Sequence, residues 1–271
     1  MGDTLDGFDD AAWARTPEGI RGLTDCHAHL GDPVFDADRD EVIARARRNG
    51  VERVVVVGET LADARRNLEL ASASGGFLRP CAGLYPTRLD EEEAAALEEL
   101  ARGRRDELIA IGEVGLDLWK VQDPDDQEVQ RRIFTRFVRL ADELDLPLNV
   151  HSRSAGRQAI ELLVDLGARR VQLHAFDGRA AKARPALEAG YYFSVPPSVV
   201  RSPQKQKLVR ALPLERLLLE TDSPVLGPSP AERNQPCNVS YPLHAIAALK
   251  DESIAAVAEA TRDNVRRLFG E

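Results

Sequence analysis

The chain has 271 residues, 43% of them hydrophobic and 30% charged, with a formal net charge of −9. That length suits one large barrel or two small domains, and the apolar share is ample for a buried core. No apolar run approaches the ~20 residues of a bilayer crossing, and an acidic chain lacks the broad basic face that coats nucleic acid, although bound cations and local arginines still permit a nuclease.

The first 20 residues are acidic and lack the basic start and apolar stretch of a signal peptide. Three cysteines, Cys26, Cys81 and Cys237, show no CxxC spacing and suit free thiols in a reducing compartment. Both features predict a cytosolic protein with no membrane attachment. Residues 1–21 read as an acidic extension that caps the barrel bottom or hangs loose, and residues 22–271 as one catalytic domain.

In chain order, apolar and β-branched runs bounded by turn signals predict strands over 23–30, 51–58, 78–86, 108–117, 146–152, 170–176, 190–197 and 217–224. Helical spacing fills the intervals, at 38–49, 61–73, 91–102, 127–144, 155–166, 180–189 and 203–212, with two further helices near 244–249 and 254–268. Strand–helix alternation repeated eight times implies parallel strands and right-handed crossovers, hence an α/β fold: a single (β/α)8 TIM barrel. An open doubly wound sheet would carry a Gly-rich loop after strand one, whereas this chain reads His-Leu-Gly-Asp-Pro there.

Of the five histidines, His27, His29, His151 and His174 fall at or near the C-terminal ends of predicted strands, the catalytic face of such a barrel. His27 and His29 are two residues apart, so in a strand both point to one side, within reach of one cation. Strand four ends in Gly-Glu113-Val-Gly, the glycines leaving room for a ligand; strand eight carries Glu220 and Asp222 with the same parity. Asp222 lies nearer the strand end and is placed at the metal, with Glu220 one layer deeper. Acids gathered at one rim are costly unless cations neutralise them, so the cluster reads as metal-binding. His244, on a later helix, reads as a packing or surface residue.

The runs Thr-Asp-Cys-His27-Ala-His29, Ile-Gly-Glu113-Val-Gly-Leu-Asp, Asn-Val-His151-Ser-Arg153, Leu-His174-Ala-Phe and Leu-Glu-Thr-Asp222-Ser-Pro resemble the TatD-type metal-dependent hydrolases of the amidohydrolase superfamily. The runs His-Ser-Arg-Ser-Ala-Gly-Arg157 and His-Ala-Phe-Asp-Gly-Arg179 resemble, within that family, the branch containing the third vertebrate TatD-domain protein. The resemblance implies two divalent ions (Zn2+, Mg2+ or Mn2+), with His27, His29 and Asp222 on the first, His151 and His174 on the second, and Glu113 between them. Other superfamily branches bridge with a carboxylated lysine, but none of the five lysines falls in a predicted strand, which leaves the task to Glu113. The chain departs from the family at Gly-Leu-Tyr85-Pro, where a histidine often precedes the proline.

Paired metals suit hydrolysis, with Asp222 and Glu113 catalytic and Asp222 accepting the proton of the attacking water. Arg153, two residues past His151, faces the mouth and suits a phosphate; Arg233 and Asn234 are substrate candidates by resemblance, and Lys205 and Lys207 read as solvated surface. The leading expectation is a deoxyribonuclease acting on single-stranded DNA or DNA ends, with no obligate protein partner. A small-molecule phosphoesterase, esterase or amidohydrolase sharing the same ligands, or a metal-stabilised binding protein without turnover, are the alternatives.

Overall fold

The structure, a computed structural model, describes residue 5 and residues 7–270. Residues 1–4 and 6 of the expected N-terminal extension, and residue 271, lie outside the described residues. Eight strands run β1 Leu23–Ala28, β2 Val51–Val56, β3 Leu78–Ala82, β4 Ala110–Gly115, β5 Leu148–His151, β6 Val171–Leu173, β7 Tyr192–Val195 and β8 Leu217–Leu219. They pair in chain order, each parallel to the next. A parallel bridge between Ala28 and Ser223 brings the last strand back to the first, with the His29 N–H donating to the Ser223 carbonyl (2.8 Å) and the Asp222 N–H to the His27 carbonyl (2.8 Å). The expected barrel is therefore the observed one.

The helices α1 Asp10–Trp13, α2 Arg39–Arg48, α3 Leu61–Ser72, α4 Glu91–Gly103, α5 Pro124–Glu143, α6 Gly156–Asp165, α7 Ala180–Glu188, α8 Pro203–Ala211, α9 Ser240–Lys250 and α10 Ile254–Phe269 complete the described chain. Local chemistry sets their starts: Thr60, Asp90, Ser202 and Ser253 accept N–H groups of the first turns that follow them. The start of α5 lies three residues before the expected position 127, because Asp123 caps the Asp125 and Asp126 N–H groups and Pro124 occupies the first helical position, where its missing donor costs nothing. One face of α5, through Ile133, Phe134, Phe137 and Leu140, is buried in the core.

The strands are shorter than the apolar runs. Past Leu219 the Glu220 N–H still meets the Val195 carbonyl of β7 (3.2 Å), but the ladder stops there because the following N–H groups serve other partners: Thr221 donates to the Asp25 carboxylate (2.9 Å), and Asp222 takes a positive φ of 54° to reach His27. His29, His174 and Asp222 thus sit just beyond strand ends instead of within them.

The glycines of strand four do not make room for a ligand, contrary to expectation. A Cβ on Gly115, whose φ is +148°, would lie 2.0 Å from the His151 carbonyl oxygen, and one on Gly112 would lie 2.7 Å from Asn149 Cβ. The bare backbone lets β4 and β5 approach, which brings Glu113 and His151 together.

The described part of the extension is packed. Leu5 and Trp13 are buried, and Trp13 meets Phe8 edge-on and stacks on the His244 ring at 5.5 Å, which makes His244 a packing histidine. The Thr16 N–H donates to Asn49 Oδ1 (2.8 Å) beside the start of β2. No helix among the described residues is long and apolar enough to cross a membrane.

Candidate metal centre

Asn149 and His151 share one face of β5, and Asn149 is the first control point. Its Nδ2 donates to the Cys26 carbonyl (3.0 Å), so its Oδ1 faces His27 and accepts from Nδ1 at 2.8 Å. The proton of His27 is thereby fixed on Nδ1 and the Nε2 lone pair points inward. That Nε2 is buried with no hydrogen-bond partner, as is Glu113 Oε2, and the two lie 3.8 Å apart. An orphan nitrogen facing an orphan carboxylate oxygen, too far apart to bond each other, fits a cation between them.

His29 Nε2 lies 3.6 Å from Glu113 Oε2 and 3.4 Å from Asp222 Oδ1, and His27 Nε2 lies 3.5 Å from that same Asp222 oxygen. These separations are close to the ~3.4 Å edge of a tetrahedron with bonds of ~2.1 Å, the usual arrangement around zinc.

The other Glu113 oxygen faces a different pair. Oε1 lies 2.7 Å from His151 Nδ1 and 2.9 Å from His174 Nε2, and those nitrogens are 3.2 Å apart. His27, His29 and Glu113 form one group able to hold an ion, and Glu113, His151 and His174 form another. A metal centre fits this donor set of imidazoles and carboxylates.

Two further acids stand behind the histidines. Asp117 Oδ2 lies 3.3 Å from His151 Nε2, while its Oδ1 accepts the Trp119 and Lys120 N–H groups. Glu220 Oε2 lies 3.8 Å from His174 Nδ1, and Glu220 is held by the Ala175 N–H and the Ser194 hydroxyl. Asp117 is close enough to fix the tautomer and tilt of the His151 imidazole, whereas His174 Nδ1 has no hydrogen-bond partner and Glu220 acts on it through charge alone. Asp117→Asn should therefore weaken metal affinity by about 10- to 100-fold, read by competition with a chromophoric chelator, without unfolding the barrel. Unchanged affinity would remove Asp117 from the site.

Electrostatics separate the histidines. Burial, reinforced by His174, lowers His27 to about 3, so it stays neutral. For His29 burial acts downward too, but Asp222 and Glu113 overcome it and push the pKa up to about 9; Asp117 and Glu113 do the same for His151. Burial would raise Glu113 and Asp222, but neighbouring imidazoles, chiefly His174 for the first and His29 for the second, hold both below the usual carboxylate range. At neutral pH a metal-free site thus holds protons on His29 and His151 that an arriving cation must displace. Metal affinity should rise as pH increases toward about 9, with proton release visible as a buffer-dependent heat in calorimetry. A heat independent of buffer would contradict the assignment.

Above the cluster opens a cavity of about 410 Å³ reaching Asp222, His151 and His174. Arg153 lines it, its guanidinium 3.7 Å over the exposed Trp119 ring. Tyr85, in place of the family histidine, also lines it and meets the His151 ring edge-on at 5.1 Å. Lys205 lines it too, contrary to the surface position expected from sequence, while Lys207 is exposed as expected.

Arg233 and Asn234 do other work. Arg233 donates to the Val34 carbonyl (2.7 Å) and pairs with Asp38, tying the loop after β8 to that after β1. Asn234 is buried: its Nδ2 donates to the Thr221 and Val225 carbonyls and its Oδ1 accepts from Gln235 and Asn238. Both amide ends are engaged, and Asn234 shapes the turn that carries Asp222.

A parallel barrel with imidazoles and carboxylates gathered at its C-terminal mouth is the framework of a metal-dependent hydrolase. The family model for TatD related DNase matches residues 24–270, and the chain belongs to that family. It is 43% identical over 259 residues to the human deoxyribonuclease TATDN3, covering 92% of this chain and 94% of that protein. It is 32% identical to the 3'-5' ssDNA/RNA exonuclease TatD of Erwinia tasmaniensis, over 91% of this chain and 99% of that protein. Among solved structures, the Escherichia coli TatD homologue YJJV superposes with a TM-score of 0.85 at 27% identity, covering 92% of this chain and 98% of that one.

Proposed function

We propose that the protein is a deoxyribonuclease that removes nucleotides from single-stranded DNA ends with two divalent cations, Zn2+, Mg2+ or Mn2+. The observation that carries this reading is Glu113, which turns one oxygen to His27 and His29 and the other to His151 and His174. Asp222 would complete the first position, and Glu113 would bridge. The human deoxyribonuclease and the Erwinia ssDNA/RNA exonuclease to which the chain is similar suggest the substrate class.

Bound there, the cations would supply Lewis acidity, lowering the pKa of water and offsetting phosphodiester charge. The chain's own residues do the rest. Asp222, ionised and open to the cavity, takes the proton of the attacking water on its carboxylate. Arg153 presents its guanidinium fork to a phosphate oxygen, steadied by the indole of Trp119. The cavity, about 410 Å³, falls in the ~300–1,000 Å³ range of small-ligand sites, which suits a strand end more than a duplex lying across the mouth. The free thiols Cys26, Cys81 and Cys237 suit action in the cytosol.

End-labelled single-stranded DNA tests the reading. Chelator-treated protein should be inert and should release nucleotides once Mg2+, Mn2+ or Zn2+ is restored. Turnover of lactones or amides with no attack on DNA would overturn it.

A further inference from the structure

Lys205 lies in the first turn of α8, about 200° around the helix axis from the exposed Lys207, and its side chain faces the barrel. It reaches over the barrel rim and donates Nζ to the Ala175 carbonyl at 3.2 Å, one residue beyond His174. That peptide is constrained: Ala175 has a φ of 41°, and its N–H is held by Glu220 Oε1 at 2.9 Å. Glu220 and Lys205 thus grip the same residue, and the ammonium is set at the wall of the cavity that holds Asp222 and Arg153.

Among the described residues no carboxylate lies within ion-pair distance of Nζ, although an ammonium has three donors. A partly buried ammonium with one backbone acceptor leaves two donors unfilled, and an anion in the adjoining space would complete its shell.

We propose that Lys205 anchors the substrate, its ammonium donating to a phosphate oxygen of the ester in the cavity and so favouring anionic esters over neutral ones. This rests on the phosphoester reading above. The competing role is purely structural, in which Lys205 serves only to hold the Ala175 carbonyl.

Two variants separate the roles. Lys205→Gln retains an N–H donor but loses the charge, whereas Lys205→Arg keeps the charge. In the metal-loaded protein, Lys205→Gln should raise KM for single-stranded DNA and Kd for thymidine 5'-monophosphate by about 10- to 100-fold, the scale of one charge-assisted hydrogen bond, with kcat less affected. Lys205→Arg should recover most of the loss. Binding and KM unchanged in Lys205→Gln, with the wild type active, would overturn the proposal and leave the nuclease reading intact. A wild type that neither binds the nucleotide nor cleaves any phosphoester would overturn both. Should Lys205→Gln fail to fold, reductive methylation of the wild type decides: thymidine 5'-monophosphate must protect Lys205 and leave Lys207 reactive, and equal labelling of Lys205 with and without nucleotide would refute the anchor.

Discussion

Replacing Asp222 by asparagine should abolish hydrolysis while leaving the barrel folded. The residue closes the sheet by donating its N–H to the His27 carbonyl, and its own carbonyl accepts the Val225 N–H in the turn that follows; those bonds do not depend on the carboxylate. Its φ of 54° lies in the left-handed region, which asparagine tolerates as readily as aspartate does. Lost instead are the charge beside His27 and His29 and the oxygen we propose as the acceptor of the proton of water. A general base alone contributes on the order of 10²–10⁴ in rate, so the fall in kcat should be at least about 10³-fold once the weakened metal site is added. Unchanged circular dichroism with lost activity is the expected pair of results; an active, folded variant would refute the role given to Asp222.

The second large effect is expected at Glu113. Glu113→Gln preserves volume but removes the anion that faces four imidazoles. Glu113 is buried, and it also supports the raised pKa values of His29 and His151. Metal content after saturation and gel filtration, measured by mass spectrometry, should fall from two ions per chain to one or none. Affinity should fall beyond the ~100-fold scale of an outer-partner loss. Retention of two ions would show that Glu113 does not bridge.

The barrel was legible in the sequence because strand and helix periods alternate cleanly, and because the histidines and acids fall at matching heights in successive strands. Where strands end was less legible. His29, His174 and Asp222 belong to apolar runs that look like strands, but the N–H groups of His29 and Asp222 serve the closure, and His174, whose N–H still meets the Val150 carbonyl of β5, leads straight into the turn at Ala175, tertiary demands with no local signal. Asn149 could have been found, since it shares strand parity with His151. Asp117 lies past the end of β4, where a turn and not a strand period decides its direction. The positions of Lys205, Arg233 and Asn234 had no such marker. Each depends on a loop from another part of the barrel: the Ala175 carbonyl for the first, the Val34–Asp38 segment for the second, and the Thr221 and Val225 carbonyls for the third.

The join between β1 and β8 has a consequence for how the molecule comes apart. Two imidazoles on one side and a carboxylate on the other flank the place where the start and finish of the barrel meet. An ion shared among them would act as a fastener across that seam, so prising the cylinder open would first require its release. Heat resistance should then climb with added divalent metal and decline under chelation, in proportion to how tightly the fastener is held.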